Sequence, residues 1–167
     1  FLGRKMTEQS YEYFVFFSDI VSVGLKLLWV TGFGFLVFYW ANDPIKLQNE
    51  KVWAKMVIVG ILTINGMFIH KTILPLIGQR VGTTMLYGLS LRRRAVLVTS
   101  GMVLVVSWYT PLIIANIPHL NFQVPMVQIL ALYGAALLGV LIVAHMALFG
   151  AQIAETMRYR IGGRRHL

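Results

Sequence analysis

Cysteine is absent from the chain. Disulfides, thiolate zinc centres, iron–sulfur clusters and catalytic thiols are therefore excluded, and the redox character of the compartment leaves no mark on the sequence. Acidic residues are scarce: six Asp and Glu stand against fifteen Lys and Arg, a formal charge of +9. All charged residues together make 13% of the 167, about half the usual share of a soluble domain. No phosphate-cradling loop is present, because Gly32 and Gly34 lie inside an apolar run. Ser18 stands beside Asp19 without a placed oxyanion site, so a hydrolase triad does not emerge. Low-complexity segments, domain boundaries and internal repeats are also lacking.

What remains is apolar. Hydrophobic residues reach 57% and mean hydropathy +0.72, a membrane composition. Four apolar runs occupy residues 13–40, 53–77, 95–117 and 125–153, each at or above the roughly 20 residues that cross a bilayer. Tyr11, Tyr13, Tyr39 and Trp40 bracket the first run as interfacial aromatics do. Asn42-Asp43-Pro44 marks a turn, Pro75 the weakening end of the second run, Pro111 a kink and Pro125 a first helical turn. The expected fold is all-α, a single domain of four antiparallel membrane helices, with the lipid bilayer as its solvent. The opening Phe1-Leu2-Gly3 followed by Arg4-Lys5 reads as an apolar helix reaching a charged interface. A fifth, N-terminal helix before it is one expectation, and a processed mature end the other.

Eleven of the fifteen basic residues fall in the N-terminal arm, the middle loop with Lys71, and the tail. The positive-inside rule makes that side cytoplasmic, so both ends of the chain are expected there, in a bacterial inner membrane. The basic loops thus account for the net charge without nucleic-acid binding.

The second run carries Asn65, His70 and Lys71, and the first carries Asp19 and Lys26. Polar and ionisable side chains in hydrocarbon face a partner, a cavity or a cofactor. Of four histidines, His119 falls in a turn and His166 in the tail, whereas His70 and His145 lie inside spans. Counted from the outer ends of their helices, His70 is roughly 20–25 Å deep and His145 roughly 30 Å. Both fall in the cytoplasmic third, on different helices. Two imidazoles at matching depth are what one b-type haem needs as axial ligands. Gly66, one turn before His70, leaves room for a flat macrocycle. The competing reading is a structural hydrogen bond between His70 and Asp19. Ion or proton movement past Asp19, Lys26, Asn65, His70 and His145 is a third, with no ladder continuing outward. Copper handling through Met67 and His70 is weaker still. In the fourth helix Ala131, Ala135 and Gly139 form a small-residue ridge, expected to pack inside the bundle, with a contact to another membrane subunit as the alternative.

Trp53-Ala54-Lys55 followed by His70 resembles the CopD/HemJ-type bacterial membrane proteins and related integral membrane families, mainly over the second helix. Those families pair a Trp and a Lys at the outer start of a helix with a polar residue further in. The resemblance implies a small inner-membrane bundle linked to copper transport or to haem-associated porphyrin oxidation. The resulting expectation is a tetrapyrrole-binding protein for electron transfer or porphyrin chemistry, set against a non-catalytic accessory subunit of a larger complex.

Overall fold

The structure is a computed structural model and describes residues 6–83 and 89–162. The opening residues 1–5, and Arg164, Arg165 and His166 of the tail, lie outside the described residues. The fold is all-α. Helix α1 spans Glu8–Asn42 and α2 spans Glu50–Phe68. A π-helical turn, Ile69–Ile73, carries α2 into the short α3, Leu74–Gly78. Helix α4 spans Leu91–Ala115 and α5 spans Met126–Gly162. Four helices, with α2 and α3 counted as one, are long and apolar enough to cross a membrane.

Three of the helices begin before their apolar runs, and capping explains why. Thr7 accepts the Ser10 amide at 3.2 Å, Asn49 accepts that of Lys51 at 3.1 Å, and Ser90 that of Arg93 at 3.5 Å. Each side chain satisfies one of the amides that a helix start leaves unpaired. Pro75 has a different effect. It offers no amide to the carbonyl of Lys71, and its ring crowds that carbonyl. The preceding turn widens in response, and the Leu74 amide reaches back five residues to Ile69.

The helices alternate in direction, as their contacts show. Between α1 and the second span, Trp29 meets Thr63, Ser22 meets His70 and Tyr11 meets Gly78. Between α2 and α4, Lys51 meets Ala115 and Asn65 meets Ser100. Between α4 and α5, Ser107 meets Tyr133 and Thr99 meets His145. One end of the bundle, called the basic end below, holds Met6, residues 79–83 and Leu89–Arg94.

Two small cores hold the bundle. Away from the basic end, Ala54 and Ile58 of α2 pack with Ile114, Ile129 and Tyr133. At the basic end Met6, Ile73 and Ile77 pack with Tyr11 and Leu97. Polar groups clasp the far end. Lys51, 4% exposed, donates from its ammonium to Ile117 O at 2.9 Å and Ala115 O at 3.4 Å. Those carbonyls lie at the negative end of the α4 dipole. The Glu50 carboxylate accepts the Met126 amide at the start of α5. Asn49 bonds Asn121 and the Phe122 amide, holding the α4–α5 turn where Phe122 takes a positive φ of 57°.

Helix α1 stands apart, with no buried residue of its own. Its base is pinned, because Met6 exchanges two 2.8 Å backbone hydrogen bonds with Gly82 and Thr83. Tyr11 lies so close over Gly78 that a Cβ there would come 3.0 Å from its Oη. The ridge of Ala131, Ala135 and Gly139 is exposed on α5 and does not pack inside the bundle. The inward face of α5 is set by Ile129 and Tyr133 instead, because the Tyr133 hydroxyl reaches Ser107 Oγ at 2.7 Å.

Candidate functional site

Because α1 leans on α2 and α4 only at separate points, a cleft remains between them. Trp29 bonds Thr63 at 2.9 Å, and Gly24 lies so close to Trp108 that an added Cβ would meet its ring at 3.0 Å. These contacts close the cleft toward the far end, and the Tyr11–Gly78 contact closes it toward the basic end. Between them is a cavity of about 780 Å³, within the range of small-molecule and cofactor sites. Its walls are mainly apolar, including Phe14, Phe17, Leu25, Leu62, Leu97 and Leu104. Gly66 of α2 and Gly101 of α4 also line it and leave flat wall on two sides.

His70 is the imidazole of this cleft. Its Nε2 lies 2.7 Å from Ser22 Oγ and 3.0 Å from Ser18 Oγ. The Ser22 hydroxyl also donates to Ser18 O at 2.9 Å. A hydroxyl has one proton, so Ser22 makes both contacts only by accepting from His70. His70 then carries its proton on Nε2, and the lone pair lies on Nδ1. Nδ1 has no hydrogen-bond partner among the described residues. No fully buried side-chain nitrogen or oxygen among them lacks a partner, so Nδ1 is not fully buried.

The other polar residues expected around His70 divide into two groups. Asp19, Lys26 and Lys71 do line the cleft. Asp19 makes no hydrogen bond to His70; its neighbour Ser18 and Ser22 hold the ring. Asn65 is committed elsewhere: it donates to Ser100 O and accepts from Ser100 Oγ, both at 2.9 Å. That reciprocal pair satisfies the amide and ties α2 to α4.

The structure does not bring His145 to His70. His145 meets its own helix at Leu141 O, 2.9 Å from Nδ1, and Thr99 of α4, 3.4 Å from Nε2. At 100° per residue, Thr99 lies about 140–200° around α4 from Leu97, Gly101 and Leu104, which face the cleft. Helix α4 therefore stands between the two histidines, although their depths are close. Continuing five residues beyond the Asn65–Ser100 pair sets His70 level with Ala95, about one turn from Thr99. Two axial nitrogens must face one another across a single iron, and this arrangement does not fit that geometry. What the cleft does offer around His70 alone is an unpartnered imidazole nitrogen, two glycines in its walls and mainly apolar surroundings.

Sequence reasoning passed over Ser22 and weighed Ser18 only as a hydrolase nucleophile, not as a partner of His70. The available signal was their four-residue spacing, which puts both hydroxyls on one face of α1. Among the described residues no group of three or more His, Asp or Glu stands ready to hold a metal ion. No protein-family model, curated protein or solved structure matches the chain.

Proposed function

We propose that the protein binds a tetrapyrrole, haem b or a metal-free porphyrin, inside the membrane, with His70 as the only imidazole at the site. The observation that carries this reading is an imidazole, His70, lining a mainly apolar cleft of about 780 Å³ with its Nδ1 unpartnered. Large apolar pockets with a few convergent polar groups are where ligands bind. Ser18 and Ser22 orient the imidazole, Gly66 and Gly101 accept a flat ring, and Trp29 and Trp108 close the cleft toward the far end. Bound haem would supply one-electron transfer, and a porphyrin would be a substrate or cargo. In the same reading the basic end faces the cytoplasm of a bacterial cell, since it collects most Lys and Arg.

The test is the visible spectrum of the protein purified from haem-supplied cells, oxidised and then reduced. The reading expects a Soret band that shifts on reduction. A protein saturated with added haem that shows no Soret shift from free haem sinks it.

A second reading is a non-catalytic subunit of a larger membrane complex. It is favoured by the exposure of Ala131, Ala135 and Gly139 on α5, together with an α1 that buries none of its residues. Small-residue ridges let helices approach closely. Under that reading, bulky substitutions on the ridge would abolish co-purification with a defined partner and leave the spectrum of the isolated chain without a haem signature.

A further inference from the structure

Lys26, exposed on α1, is a charge near mid-span that makes no ion pair or hydrogen bond among the described residues. It lies near the middle of α1, 18 residues from Glu8 and 16 from Asn42. At 1.5 Å per residue that is roughly 25 Å from either end. A lysine stem is far too short to carry its ammonium from there to the headgroups, so snorkelling does not relieve it. Lys71 lines the same cleft beside His70. Lys46 pairs with Asp43 in the turn after α1, and no ion pair reaches Lys26 or Lys71 among the described residues. Neither cleft lysine is therefore paired. A bare ammonium in hydrocarbon is costly, most of all for Lys26 in the middle of its span; Lys71 lies nearer the basic end.

The two lysines also lie at different depths. The Ser22–His70 and Trp29–Thr63 contacts set Lys26 level with Gly66 on α2. Lys71 is five residues further along, or roughly 7–8 Å toward the basic end. Both line one apolar cavity, and an occupant that satisfied both would be apolar in its body and anionic at two separated points. Asp19 is the only carboxylate lining the cleft. It lies level with the Lys71 turn, pairs with neither lysine, and would oppose such an occupant.

We propose that Lys26 and Lys71 take the two carboxylates of a dianionic tetrapyrrole, and that the site selects the free diacid over neutral analogues. This rests on the tetrapyrrole reading and names the ligand's charge class and the residues that recognise it. His70 addresses the ring, the glycines and apolar walls its faces, and the two lysines its acid groups. A charge-assisted contact removed from such a site lowers affinity about tenfold or more.

The experiment uses the full chain in nanodiscs of zwitterionic lipid. Protoporphyrin and its dimethyl ester are titrated by fluorescence, each against wild type, Lys26→Met, Lys71→Met and Asp19→Asn. The proposal expects wild type to bind the free acid at least tenfold more tightly than the diester. Each lysine variant should weaken the free acid about tenfold and leave the diester unchanged, and Lys26→Arg should restore binding. Asp19→Asn should strengthen the free acid only. Equal wild-type affinity for acid and ester overturns the proposal while the tetrapyrrole reading stands. Failure of both porphyrins to bind overturns the proposal, and failure of haem to bind as well overturns the tetrapyrrole reading with it. Repeating the titration in discs containing phosphatidylglycerol distinguishes the remaining source of anions. Free-acid binding that is lysine-dependent in zwitterionic discs supports the proposal. Lysine dependence that appears only with the anionic lipid shows that the lysines hold headgroups, and overturns it.

Discussion

Asn65 and Ser100 show how a polar residue inside a membrane helix is made stable. The amide donates to a backbone carbonyl and accepts from a hydroxyl, so both its functions are used in one contact. Interhelical hydrogen bonds of this kind contribute about 0.6 to 2 kcal/mol in membranes. Asn65→Ala and Ser100→Ala should each destabilise the bundle by about that amount. The double variant should lose less than the sum, because the second change removes a partner already orphaned. Unfolding in mixed micelles, run as a double-mutant cycle, measures the coupling; additive losses would place the pair's contribution at zero. His70 differs from Asn65 at this scale. Two serines saturate one of its nitrogens and leave the other free, which is why the one residue reads as structure and the other as a site.

At the scale of elements, α1 is the part that makes the site. Its base is fastened by Met6 and Tyr11, and its middle rests on Trp108 at Gly24. Gly24→Leu would force Trp108 away and should cost about 1–3 kcal/mol, as overpacking does. Its tryptophan emission should shift as well. A Cβ at Gly34 on the same helix meets nothing within 4 Å, so Gly34→Leu should change neither. Thermal unfolding in detergent with a fluorescence readout checks both variants, and equal effects would deny α1 this contact. The helices themselves were legible, since apolar length and the Lys and Arg pattern report spans directly. Rotation about the axis was not. Counting residues gives a depth, and His70 and His145 do lie at similar depths. Only the packed faces of α4, Leu97 and Gly101 on one side and Thr99 on another, show that a helix stands between them. The π turn was hidden as well, because Pro75 announces a disturbance without saying on which side of it the helix will widen. Ser18 and Ser22 gave little hydropathy signal, and their role depends on which helix they face.

For the whole molecule, the far end and the basic end are built differently. The far end is clasped by Asn49, Glu50 and Lys51, which tie α2 to the α4–α5 turn. At the basic end α1 is held to the turn after α3. A protein without cysteine allows its orientation to be read with single introduced thiols. Gln48→Cys at the far end should react with an impermeant maleimide in intact cells. Gln79→Cys at the basic end should react only after the membrane is opened. The reverse pattern would invert the proposed topology and place the basic end outside.

The central claim is that one imidazole, His70, holds a tetrapyrrole in the cleft between α1, α2 and α4. Haem titration of the purified protein, followed at the Soret band for wild type, His70→Ala and His145→Ala, tests it most directly. The account predicts the same band shift for wild type and His145→Ala, and its loss in His70→Ala. Loss of the shift in His145→Ala, or an unchanged shift in His70→Ala, would contradict it.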